Sequence, residues 1–241
     1  MNDGRQPLIL LAASGLAREV LASTVTAGRF GVVGVLDDDP LRRGTDVGSS
    51  TVIGAIADAV DHPEASFVVC AGKGAVRERI VDRLSAWGIG ADRFATVIDP
   101  TAVVPAGCAV GAGSVLLSHV SLTADVTVGR HVVVMPQAVL THDNRIEDFA
   151  TICAGVALGG SVRIGRAAYL GMNSSVRQDL TVGEHATLGM GSVLLRALPA
   201  NRTWAGVPAR DLGVGDRADM RNEEQDGPVR PVGGLEGVLQ P

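Results

Sequence analysis

The sequence predicts two structures in tandem: a small Rossmann-like α/β domain with a parallel sheet over residues 1–97, and a parallel β-helix over residues 98–212. Two observations carry this. Strand-like and helix-like segments alternate before residue 97, and an aliphatic residue recurs at every sixth position from Ile98 to Leu194. Residues 213–241, rich in Gly, Pro and charge, read as a disordered tail.

In the first region "PLILLAA" reads as a buried strand. "SGLAREVLASTVTAG" has helical spacing and ends at Gly28, and "GVVGVLDDD" is a second strand that runs into acids. "AIADAVDH" is a short helix, "SFVVCAG" a third strand, and "AVRERIVDRLSAWG" an amphipathic helix with a glycine stop. Alternation of this kind builds a parallel sheet with helices on its faces. A ligand crevice is then expected at the strand C-terminal ends, where Ala13 to Gly15, Asp37 to Asp39 and Gly72 converge.

In the second region all 17 consecutive sixth positions are Ile, Val or Leu, and in seven of them the next residue is Gly. A period of six fits neither a helix nor a flat strand. Short extended segments joined by tight turns do fit, with the aliphatic residue facing inward and the following Gly relaxing the turn. Such segments stack as coils, each burying its neighbour's interior.

Hydrophobic residues make up 46% of the chain and aromatics 3%, so the core must be filled by Val, Leu, Ile and Ala, which suits small repeated packing units. The net charge of −5 argues against nucleic-acid binding, which needs a basic face. No segment approaches the roughly 20 apolar residues of a membrane span. Cys70, Cys108 and Cys153 are too few and too scattered for a disulfide framework or zinc knuckle, and a reduced, cytoplasmic setting follows.

His142 and Asp143 stand out against the monotony. An imidazole can take a proton near neutral pH, and a neighbouring carboxylate can orient it. His119, His131 and His185 lie three residues after the aliphatic position, whereas His142 lies two after Leu140. His131 and His185 are expected at a surface or subunit contact. No histidine pair has the five-residue spacing of a β-helix zinc site, so no metal is expected. Cys153 has no base beside it, which favours direct transfer over an acyl-enzyme.

The succession "LLAASGLAREV", "VGVLDDDP", "VVCAGKGAVRERI", "THDNRIEDFATICAGVALGGSVRIG", "YLGMNSSV" and "WAGVPAR" resembles the sugar acetyltransferases of bacterial sialic-acid and bacillosamine biosynthesis. The resemblance spans roughly residues 7–212. It implies a left-handed β-helix, a homotrimer, acetyl-CoA as co-substrate and a nucleotide-linked amino-deoxy sugar as acceptor of an N-acetyl group. It makes His142 the general base and Asp143 its orienting acid. Ser14, Gly15, Leu16, Asp37, Asp38 and Gly72 fall at its nucleotide-sugar positions, with Lys73 a further phosphate contact. Thr151, Gly160, Met172, Met190 and Arg210 fall at its coenzyme positions. Two positions depart from the pattern: Leu16 replaces a histidine that contacts the sugar, and Thr151 replaces a second histidine. O-acetylation of a sialic-acid-type sugar, a non-catalytic nucleotide-sugar-binding subunit and transfer of a longer acyl group are the alternatives.

Overall fold

Ser14 and Gly28 set the length of the first helix. Ser14 caps its N-terminus by accepting the Ala17 N–H, and Gly28 ends it in the left-handed conformation, φ 67°. In this computed structural model, which describes residues 4–212, that helix is α1 (Gly15–Ala27). The expected tail lies outside the described residues. Around α1 stand β1 (Gln6–Leu11), β2 (Phe30–Leu36), β3 (Asp46–Val47), β4 (Ser50–Gly54), β5 (Ser66–Val69) and α2 (Gly74–Ala86). The sheet order is β3-β4-β2-β1-β5, parallel except for β3. The β3–β4 hairpin was not anticipated, and the expected short helix at residues 55–62 is a 3₁₀ segment, Ile56–Asp61.

From residue 97 the chain winds into a left-handed β-helix of two-residue rungs on three parallel faces. The first face holds Val97–Ile98, Val115–Leu116, Val133–Val134, Thr151–Ile152, Tyr169–Leu170, Thr187–Leu188 and Thr203–Ala205. The second runs from Ser121–Leu122 to Val193–Leu194, and the third from Ala109–Val110 to Thr181–Val182. Up to Thr187–Leu188, whose partners Thr203 and Trp204 come 16 residues later, each rung pairs in register with the rung 18 residues on, as Leu140 does with Leu158. The aliphatic member faces inward, so on the first face Leu116, Val134, Ile152, Leu170 and Leu188 form one continuous apolar column. The ladder also outlasts the sequence count. After Leu194 a step of four places Leu198 on the third face, and a step of six places Trp204 on the first.

The glycine after each aliphatic residue has a different role from the one expected. The left-handed turn residue comes two positions later, and is mostly not glycine: His119, Asp125, Gln137, Asp143 and Asp179 all have φ between 53° and 62°. Gly111, Gly159 and Gly165 are required by the closeness of the next coil. A Cβ on Gly159 would lie 2.6 Å from the Gln178 nitrogen, and one on Gly165 2.5 Å from that of Glu184.

The α/β sheet lies against the first face of the coil. Val97, Val115, Leu117 and Val133 share one buried cluster with Leu8, Leu10 and Val20, which roots the strand-end crevice on the β-helix. At the start of α2, Gly74 has no room for a side chain, because a Cβ would sit 2.0 Å from the Phe149 carbonyl oxygen.

Candidate active site

His142 follows the rung Val139–Leu140 and stands at the corner between the second and third faces. Its backbone is fixed from neighbouring coils: Ser161 N–H donates to the His142 carbonyl at 2.9 Å, and Asp143 N–H donates to Ala124 at 3.0 Å. Asp143 occupies the left-handed turn position, φ 61°. This twist turns its carboxylate back along the corner to meet His142 Nδ1 at 2.7 Å. An ionised carboxylate only accepts, so Nδ1 carries the proton and Nε2 presents a lone pair. Both side chains are exposed, at 63% and 59%.

One coil above, Gly160 lies against the imidazole. A Cβ there would come within 2.4 Å of Nε2 and 2.3 Å of Cε1, so any side chain would displace the ring. The Gly160 N–H meets no acceptor among the described residues. His142, Asp143 and Gly160 are thus brought together, and the other coenzyme positions stand elsewhere. Met172 and Met190, 46% and 70% exposed, stack at the corner between the first and second faces. Arg210 is exposed on the closing strand Arg210–Asp211. Thr151 is a correction. It is fully buried, its hydroxyl donates to Gly72 O at 2.8 Å and accepts from Arg77 Nη2 at 3.1 Å, and no surface remains for a coenzyme.

The strand-end crevice is largely held by its own bonds. Besides capping α1, Ser14 donates to Cys70 O at 2.5 Å. Asp37 accepts from Ala13 N–H at 2.6 Å and Asp39 N–H at 2.8 Å, while Asp38 pairs with Arg83 at 2.6 Å. Arg42 folds over this loop and donates to the Ala13 carbonyl. Gly15, Gly72 and Lys73 are exposed at the mouth. Leu16 is a second correction: its side chain is 5% exposed and packs in the sheet's core, so only its backbone can face a ligand.

Residues 7–84 match the PglD N-terminal domain family. GDP-perosamine N-acetyltransferase of Escherichia coli O157:H7 is 27% identical over 151 residues, 61% of this chain and 67% of that protein. Among solved structures, the acetyltransferase domain of PglB from Neisseria gonorrhoeae FA1090 in complex with acetyl coenzyme A superimposes with a TM-score of 0.79 at 28% identity, covering 87% of this chain and all of that one. PerB from Caulobacter crescentus in complex with CoA and GDP-perosamine gives a TM-score of 0.78 at 26% identity, covering 86% and 97%. The chain is similar to these acetyltransferases in sequence and, over most of its length, in fold. Other curated relatives, acyltransferases of UDP-N-acetylglucosamine, align over 86 residues, so the chain spans about a third of their length.

Against the family pattern, Arg77 was overlooked. It lies 1% exposed between α2 and the coil, where Nε donates to His131 O, Nη1 to Ala71 and Gly72 O, and Nη2 to Phe149 and Ala150 O, all within 3.0 Å. The signal was available: Arg77, Ile80 and Leu84 share one helical stripe, so the charge interrupts a buried face. Burial also pushes the Cys153 thiol up, away from the thiolate a nucleophile needs.

His131 overturns the expectation of a surface residue. It is 5% exposed, stacked on Phe149 at 5.1 Å and edge-on to Phe94 at 4.7 Å, with Nδ1 unpartnered. Burial, then the Arg77 and Arg130 charges, pull it down to about 4 from an ordinary 6.5. The unfolded chain therefore binds this proton between pH 6.5 and 4 while the native chain does not. Stability falls as pH drops through that window, by about 3 kcal/mol in total. Wild type should lose more thermal stability between pH 7 and 4.5 than His131→Asn, which tolerates the residue's φ of 54° but cannot titrate. Equal pH slopes in differential scanning calorimetry would contradict this.

Proposed function

We propose that the chain transfers an acetyl group from acetyl-CoA to the amine of a nucleotide-linked amino-deoxy sugar. The observation that carries this reading is the exposed His142–Asp143 pair with its Nε2 edge against the Gly160 backbone. The amine nitrogen attacks the thioester carbonyl carbon, and the carbonyl electron pair moves onto oxygen, within reach of the Gly160 N–H. Nε2 takes the proton the amine must lose. The C–S bond then breaks and the departing thiolate accepts that proton, leaving amide and free CoA. Asp143 stabilises the imidazolium formed midway. The buried Cys153 supports direct transfer in a ternary complex.

The nucleotide part is assigned to the strand-end crevice. There Gly15 allows a diphosphate to approach the α1 N-terminus, and Asp37 and Asp38 lie after β2, where ribose hydroxyls are accepted. Lys73 at the mouth is the phosphate contact. The match of residues 7–84 to the PglD N-terminal domain and the GDP-perosamine held by PerB support this assignment. A homotrimer is part of this reading. Within one prism His142 and Met172 stand at different corners, so a coenzyme that meets both would lie between neighbouring copies.

Thiol release from acetyl-CoA tests this reading. Release is expected with UDP-, GDP- or dTDP-linked amino-deoxy sugars, and not with free sialic acid. Release with sialic acid alone would shift the assignment to O-acetylation. Binding of a nucleotide sugar with no thiol release from any acceptor would reduce the chain to a binding subunit.

A further inference from the structure

We infer that Asn144 is a positioning residue for the acetyl-transfer site, holding the Gly159–Gly160 peptide so that its N–H faces outward beside His142. This inference rests on the general-base reading above.

Asn144 points into the coil interior and is fully buried. Its column, read at intervals of 18, is Val126, Asn144, Val162 and Leu180, and the other three are buried aliphatics in the coil's apolar core. Stability alone would place a valine here, since burying an amide without full pairing is unfavourable. Asn144 is not fully paired: its Oδ1 has no partner. The other end of the amide is engaged, with Nδ2 donating to Gly159 O at 2.7 Å. The interruption also falls in the coil that bears the base, two residues after His142.

The peptide between Gly159 and Gly160 gives this bond its consequence. In a trans peptide the C=O and N–H point in opposite directions. Asn144 draws the carbonyl inward, so the Gly160 N–H is turned outward, on the residue against which the His142 ring lies. That N–H has no acceptor among the described residues. It is therefore available to the oxygen that gains charge when the thioester carbonyl is attacked. Main-chain bonds hold the Gly159 N–H and the Gly160 carbonyl, but among the described residues only Asn144 holds the Gly159 carbonyl; without it this peptide is less firmly set, and a donor that must reorient stabilises the transition state less. Ser114 shows that a hydroxyl can make the same reach: its Oγ donates to Gly129 O at 2.8 Å across the same interval of 15 residues at another corner.

Three variants are compared in full-length protein with His142→Ala as reference. Asn144→Val restores the aliphatic column. It is expected to melt at or above the wild-type temperature while kcat falls about 10- to 100-fold, part of the loss seen when an oxyanion donor is removed. KM for acetyl-CoA and the pH at which activity rises are expected to stay in place. Asn144→Ser is expected to recover most of the turnover. Wild-type kcat in Asn144→Val with His142→Ala inactive overturns the role of Asn144 alone. Loss of kcat, KM and melting temperature together in both Asn144 variants overturns it in favour of a structural role. Full activity in His142→Ala overturns the base reading beneath it.

Discussion

His142→Ala is expected to lower kcat by about 10² to 10⁴-fold, the range for loss of a general base, with little change in KM for acetyl-CoA. The fold should be unaffected. The ring is 63% exposed, and the corner is held by main-chain bonds from Ser161 to His142 and from Asp143 to Ala124, which alanine preserves. Asp143→Asn should lose less, because an amide oxygen still accepts from Nδ1–H but offers no charge to the imidazolium. Steady-state thiol release decides the matter: an alanine variant with wild-type kcat removes His142 from the mechanism.

Arg77→Met is expected to have the largest effect on stability. Burial lowers this guanidinium to about 10, so it stays charged at neutral pH, and its charge is spread over five carbonyls and the Thr151 hydroxyl. Removing it leaves the Ala71, His131 and Phe149 carbonyls without a donor, while Gly72 keeps the Thr151 hydroxyl and Ala150 the Val133 N–H, and the loss costs about 3–5 kcal/mol. For a chain of this length that corresponds to a fall of roughly 10 °C in Tm. Arg77→Lys should recover little, because an ammonium cannot fork between acceptors on both sides of the interface. A melting temperature within 2 °C of wild type, roughly 1 kcal/mol on the same scale, would show that the carbonyls find other donors.

The architecture was legible because it is repetitive. An inward aliphatic residue every six positions admits few structures, and Ile98 to Leu194 keep that register without a break. What the period could not reveal is which outward residues are covered by a second element. Thr151 and His131 occupy outward or corner positions, as solvated residues elsewhere in the coil do. Only the docking of α2 through Gly74 and Arg77 buries them. Leu16 was misplaced for a similar reason, since its side chain follows the buried stripe of α1 with Val20 and not the crevice. The glycines were found but misread. A glycine that relieves a turn and one that admits a neighbouring coil look alike in sequence, and the distances to Gln178 and Glu184 distinguish them. The dyad needed no tertiary information, because two adjacent residues at a turn meet wherever the turn goes.

A prism with the same cross-section at every level has no internal reason to stop, and a bare final rung is a template for another molecule to continue it. Here the step from Leu194 to Leu198 breaks the beat, and the chain then doubles back as Arg210–Asp211 pairs antiparallel with Thr203–Ala205. Ala209 N–H takes the Val193 carbonyl, and Leu198 N–H takes that of Thr181, so the uppermost strands of two further faces are also occupied. Among the described residues the edges that an added rung would need are thereby already taken, which blocks end-to-end growth of the stack.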